Sequence, residues 1–325
     1  MARRKSVPPV LCALLCALAP LAFAQQQAYP THTIRIVEPV GPGSAPDVFA
    51  RKLTPGLAER LGQAIIVDNK AGANGAIGAQ EVARAAPDGY TLLHANINNA
   101  LNDIVSSDSC CRLTEKLIPI TSLTLTPLVM VIAPSAGIKT LKEYLAFARA
   151  HPNDVTYASA GAGSITQVLG EKVNLAGGVH ARDIPYKAIG AELPDILAGN
   201  VMVAYLAPVV VGQHIRTGKL IALGVAGPRR VPIVGDTPTL AEAGLPGVEA
   251  SGWNGLFAPA GTPPNVITRL QTETAALLAS PEFRSDAVNL GYELGGESPE
   301  AFTTFVKAEV SKWRGVIRDA KLKTE

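Results

Sequence analysis

The chain has 325 residues, 47% of them hydrophobic and 17% charged. That is enough apolar material for a large core, and it excludes an intrinsically disordered chain. Lys and Arg number 29 against 27 Asp and Glu, for a formal charge of +2. Arg3, Arg4 and Lys5 supply three of the cations, so the rest of the chain lacks the basic excess of a nucleic-acid binder.

Residues 1–24 have the form of a secretory signal: a basic start, an apolar run over 10–21, and Ala22-Phe23-Ala24 as a small-x-small cleavage site. The run is shorter than the roughly 18 residues of a membrane span, which sets an uncleaved anchor behind a signal cleaved after Ala24. The expected location is the periplasm. Cys12 and Cys16 would leave with the signal. Cys110 and Cys111 would remain, as adjacent thiols in a loop or an oxidised pair, because neighbours bridge only with strain. They make too small a set for a metal, and no cofactor is expected.

In chain order, 33–37 reads as a strand, followed by a Gly/Pro turn and a helix over 45–61. That helix carries Val48, Phe49, Leu53, Leu57 and Leu61 at helical spacing. A strand at 65–67, a small-residue helix over 76–86 and a strand at 90–93 follow. The pattern recurs with a strand at 128–132, a helix opened by the capping box Thr140/Glu143, a strand at 155–157 and a helix after Gly161-Ala162-Gly163-Ser164. Further strands are expected at 183–184, 201–205 and 221–225, and Thr239/Glu242 forms a second capping box. A helix after Pro264 places Val266, Ile267, Leu270, Leu277 and Leu278 on one face. Ser298-Pro299 opens the last helix, whose stripe is Phe302, Phe305, Val306, Val310 and Trp313. Alternating strands and helices predict two α/β units with parallel sheets and a ligand cleft at the strands' carboxyl ends.

Enzyme signatures are missing: no nucleophile elbow, no zinc helix and no phosphate loop. The five histidines are scattered, and Asp47, Asp88, Asp195 and Asp236 sit where capping is the ordinary role. Two loops stand out. Gly41-Pro42-Gly43-Ser44-Ala45-Pro46-Asp47 and Gly161-Ala162-Gly163-Ser164-Ile165-Thr166-Gln167 each join a strand to a helix. Such turns aim backbone N–H groups and hydroxyls at a ligand from the positive end of a helix. Each alone is explained by serine capping; the pair, facing one another, could bind a small carboxylate without Arg or Lys.

The sequence resembles the receptors of tripartite tricarboxylate transporters, the TctC-like or Bug family, over nearly all of the chain after the signal. The residues that carry the resemblance are Tyr29-Pro30, Asp47-Val48-Phe49-Ala50-Arg51, Leu61-Gly62-Gln63 and the segments 67–78 and 85–93. Tyr157-Ala158-Ser159-Ala160-Gly161, Ile184-Pro185-Tyr186-Lys187 and the segment 258–263 complete the set. The resemblance implies a two-lobed, type II periplasmic-binding-protein α/β architecture with the ligand cleft between lobes. Lobe one would comprise 25–125 and 251–325, and lobe two 126–250. It implies ligand-binding roles for Gly43, Ser44, Ala45 and Pro46, for Asn96 and Asn98, and for Gly163, Ser164, Thr166, Gln167, Tyr186 and Tyr205. Pro46 has no N–H and could only shape its loop. Where the family often carries an Asp in lobe two, the segment 201–208 is apolar, which ranks amino acids below simple or aromatic carboxylates as ligands.

The expected function is capture of a small carboxylate by lobe closure and delivery to the membrane permease subunits of a tripartite transporter, by a monomer. A carboxylate sensor for a signalling partner is the alternative. A secreted hydrolase with Ser164 as nucleophile and His180 as base is the weaker one, for want of a group to orient the base.

Overall fold

The computed structural model describes residues 29–105, 113–186 and 192–319. The expected signal, with Cys12 and Cys16, and the Cys110-Cys111 pair lie outside the described residues. Strand β1 (Ile34–Glu38) runs through the first glycine loop into α1 (Ala45–Leu61), the helix expected from the Phe49–Leu61 spacing. Next come β2 (Ile65–Asn69), α2 (Ala76–Ala83), β3 (Thr91–Asn96), α3 (Ile97–Val105) and α4 (Leu113–Lys116). The long β4 (Leu117–Pro127) is separated by Leu128 alone from β5 (Val129–Ile132). There follow α5 (Leu141–Ala150), β6 (Thr156–Ser159), α6 (Ile165–Gly177), β7 (Arg182–Pro185), α7 (Leu193–Ala198), β8 (Val203–Leu206), α8 (Pro208–Arg216) and β9 (Ile221–Val225). The chain ends with β10 (Ser251–Pro259), α9 (Pro264–Leu278), α10 (Pro281–Asn289), β11 (Glu293–Leu294) and α11 (Pro299–Asp319).

These strands form two sheets. The first has the order β11-β4-β10-β3-β1-β2, the second β7-β6-β8-β5-β9. β1 is parallel to β2 and β3, and β6 to β7 and β8, as βαβ units require. The sheets are nonetheless mixed, not all-parallel as the alternation predicts. β10 runs antiparallel to β3 and β4, and β5 antiparallel to β8 and β9. β4 and β10 lie side by side over their full length, with Ser251 opposite Pro127 at one end and Pro259 opposite Leu117 at the other. The chain leaves the first sheet along β4 and returns along β10, and such a return is necessarily antiparallel.

The expected apolar faces are the buried ones, except that Val48 of α1 is 37% exposed, one position off the stripe of Phe49, Leu53 and Leu57. Val266, Ile267, Leu270, Leu277 and Leu278 of α9 are all buried, and Phe302, Val306 and Trp313 of α11 lie in the core, with Phe305 and Val310 packed at its margin. Phe302 meets Trp253 edge-on at 5.9 Å and Phe257 at 5.3 Å, geometries that favour aromatic contact. Gly255 makes room for this cluster: a Cβ there would lie 2.2 Å from Phe302 Cζ. Thr140 caps α5 as expected, its Oγ1 accepting from Glu143 N at 3.2 Å. The Thr239/Glu242 box forms reciprocally, at 3.0 and 2.8 Å, yet it closes a turn and no helix follows, because Gly244 breaks the segment after one turn.

Candidate functional site

The two glycine loops fold alike. Gly43 and Gly163 have positive φ of 82° and 70°, conformations open to glycine at little cost. Ser44 and Ser164 then take extended backbone and stand at the N-caps of α1 and α6. In each loop the glycine N–H donates to the side chain four residues on: Gly43 N to Asp47 Oδ2 at 2.9 Å, Gly163 N to Gln167 Oε1 at 2.8 Å. The amides of Ser44 and Ser164 turn back to the carbonyls of Gly41 and Gly161. In this structure the N–H groups of Gly43, Ser44, Gly163 and Ser164, expected to serve a ligand, donate within their own loops. Among the described residues, the amides without a protein acceptor at these helix starts are those of Ala45 and Asp47 in α1 and Thr166 in α6. Pro46 at the second position of α1 has no N–H to satisfy.

The two serines differ. The Ser44 hydroxyl donates to Gly41 O at 2.8 Å and makes no cap contact. Ser164 Oγ accepts from Gln167 N at 3.3 Å and lies 3.1 Å from Thr166 Oγ1, which in turn accepts from Ala160 N at 2.9 Å. Two hydroxyl protons are present and their mutual bond uses one. The other has no protein acceptor among the described residues, and both side chains are fully buried.

Asn96, Asn98 and Asn99 form the third wall. Asn96 Oδ1 accepts from Asn98 N at 2.9 Å, and Asn99 Oδ1 accepts from Asn96 N at 3.0 Å. Asn96 Nδ2 is buried without an acceptor, a donor that a bound carboxylate would satisfy. Asn98 Oδ1 accepts from Ile165 N at 3.1 Å. This bond joins the carboxyl end of β3 in the first sheet to the first amide of α6 beside the second.

Three expected ligand contacts are occupied elsewhere. Gln167 spans Gly163 N and Asp183 Oδ2, the latter at 2.9 Å, so it shapes its loop. The Tyr186 hydroxyl donates to Asp195 Oδ2 at 2.7 Å, while Tyr186 N donates to Ser159 O at 2.7 Å. Tyr205 is a core residue: its ring packs edge-on against Tyr157 at 6.1 Å, and burial pushes its hydroxyl well above the ordinary phenol value. The proposed hydrolase pair is also apart. Ser164 precedes the first residue of α6 and His180 follows its last, about 20 Å along the axis at 1.5 Å per residue.

Asp47 does more than cap. Its carboxylate accepts from Gly43 N, from Arg51 Nε at 3.1 Å and from Asn69 Nδ2 at 2.9 Å. Burial by itself would raise this carboxyl, but the bonds from Arg51, Gly43 and Asn69 outweigh it and hold the group below its ordinary value. The matching spacing of Gly43/Asp47 and Gly163/Gln167 is a sequence signal for this loop-closing role. Deeper still, His94 Nδ1 meets Glu38 Oε2 at 2.5 Å, with both side chains buried. No local pattern signals that pairing, because the two residues lie on different strands.

The residues from 49 to 322 match the family model for the tripartite tricarboxylate transporter family receptor. This chain belongs to that family. Among solved structures, it is similar to the periplasmic binding protein BugD, with 30% identity, 91% of this chain and 100% of that one covered, and a TM-score of 0.86. It resembles the Rhodopseudomonas palustris protein Rpa4515 with adipate at 28% identity, 91% and 99% coverage and a TM-score of 0.87. It also resembles MatC from the same organism with bound malate, at 30% identity, 89% and 100% coverage and a TM-score of 0.82. The receptor thus has the two-lobed α/β fold of periplasmic binding proteins.

Proposed function

We propose that this receptor captures a small carboxylate in the periplasm by closing its lobes across the Asn98–Ile165 seam. The single observation that carries the reading is the start of α6 at that seam, where the Thr166 amide has no protein acceptor and the Ser164/Thr166 hydroxyls hold a spare proton, with Asn96 Nδ2, buried and unpartnered, on the β3 side of it. Each helix end presents about half a positive charge, which favours an anion without a fixed cation. The bound adipate and malate of the similar proteins support a carboxylate here. Ala45 N, Asp47 N, Thr166 N, the Ser164/Thr166 hydroxyls and Asn96 Nδ2 would hold it, while Gly43, Ser44, Gly163 and Gln167 set the loops. Residues 25–125 and 251–325 would form one lobe and 126–250 the other, in keeping with the partition of strands between the sheets. The site residues are buried, so ligand access requires the lobes to part. Membership of the family supports delivery to the membrane subunits of a tripartite transporter, and the small-x-small site Ala22-Phe23-Ala24 supports secretion with cleavage after Ala24; the receptor would act as a monomer.

A thermal-shift screen of the chain from Gln25 tests the proposal against mono-, di- and tricarboxylates, aromatic acids, amino acids and sugars. A ligand at 100 times its Kd adds about 2.7 kcal/mol to folded-state stability. A rise confined to one carboxylate class is expected. Silence toward every carboxylate, or a response to sugars alone, would overturn it.

A further inference from the structure

A cavity between the two sheets has no residue of either glycine loop in its lining. Its volume is about 530 Å³, within the range of roughly 300–1,000 Å³ usual for small-molecule sites. One wall is Arg229, Arg230 and Val231, just after β9 of the second sheet. The other comes from α10 and β11 beside the first sheet, with Arg284, Val288 and Tyr292. Three arginines therefore line the cavity, and Glu293 is the one acidic residue in its lining. Arg229 spends itself on Glu293 at 2.8 Å, and Arg230 on Glu242 at 2.8 Å. Arg284 forms no ion pair among the described residues. Val288 is 47% exposed, an uncovered apolar side chain in the same wall.

We propose that this cavity is a second ligand site, for a small organic anion whose acid group meets Arg284 and whose apolar body lies on Val288 and Val231. The guanidinium fork suits a carboxylate or phosphate, and the positive excess of the wall favours the anionic form. Because its walls belong to both sheets, an occupant holds the two sides of the seam together. Tyr292 links it to the first site: the ring lines the cavity and the hydroxyl donates to Ala45 O at 2.9 Å, within the first glycine loop. On the reading of lobe closure given above, filling either site therefore strengthens the other, and by the same factor.

Isothermal titration of the chain from Gln25 with phenyl phosphate tests this, with inorganic phosphate as the charge-only probe. Saturable binding of phenyl phosphate at a Kd of about 1 mM or tighter is expected, with inorganic phosphate weaker. Arg284→Gln should weaken it roughly tenfold or more, since a bond between charged groups is lost. Arg269→Gln, an exposed arginine paired with Glu273 on α9, should not. Addition of a saturating carboxylate from the thermal screen should tighten phenyl phosphate. No saturable binding, equal binding of inorganic phosphate, or indifference to Arg284→Gln overturns the second site. Competition by the carboxylate would place the probe in the first site and likewise overturns it, leaving the proposed function standing. Should the screen find no carboxylate, the Arg284→Gln comparison still decides the second site by itself.

Discussion

Replacing Asn98 by alanine removes the hydrogen bond that, on the proposed reading, holds the lobes together. In the wild-type protein Asn98 Oδ1 accepts from Ile165 N at 3.1 Å, in surroundings where both residues are buried. Without it, the Ile165 N–H is stranded when the lobes are together but is hydrated when they part. A buried donor left without its partner costs about 1–3 kcal/mol. Because that cost falls on the closed form alone, the apparent Kd for the carboxylate should rise about 5- to 150-fold. Calorimetry with the best carboxylate of the thermal screen measures this, and small-angle scattering of the unliganded variant should show a larger radius of gyration. An unchanged Kd with an unchanged radius would refute the role of this bond in closure. A weaker Kd with an unchanged radius would assign Asn98 to the ligand and not to the seam.

Three other variants probe the loops and core. Asp47→Ala leaves Gly43 N, Arg51 and Asn69 without their common acceptor, and urea unfolding should show a loss of about 1–3 kcal/mol. The folded-state pKa of Asp47 is depressed, so its contribution is present above the unfolded value near 3.9 and disappears as pH falls below that toward the folded pKa. The stability gap between wild type and Asp47→Ala should therefore narrow below about pH 4, and a gap that widens with acid would contradict the network. Ser164→Ala removes a working N-cap and should cost about 0.5–2 kcal/mol, whereas Ser44→Ala removes no cap contact and should cost less; equal losses would deny the asymmetry of the two loops. Gly255→Ala drives a methyl group into Phe302 and should destabilise by about 1–3 kcal/mol by overpacking, visible as a lower Tm; a neutral result would mean that α11 moves aside freely.

Local patterns in the sequence determined the repeating strand–helix units, the buried faces of α1, α9 and α11, and the two glycine loops, because each depends on residues within one or two turns of each other. The segments 41–47 and 161–167, alike in Gly, Gly and Ser at their first, third and fourth positions, even mark both loop-closing pairs. Tertiary structure alone decided the remainder. β4 carries Pro119 and a run of Ser and Thr, and its strand character comes from lying along β10, more than a hundred residues away. Thr239/Glu242 has the residues of a helix start, yet the chain around it offers only a turn. The family resemblance implies a ligand role for Tyr205, but the direction in which its strand faces the sheet sends the ring into the core. Likewise, which amides remain for a ligand depends on where each loop spends its own hydrogen bonds. The union of Asn98 with Ile165 exists only because two sheets bring distant segments together, and no local pattern of spacing or propensity encodes a contact of that kind.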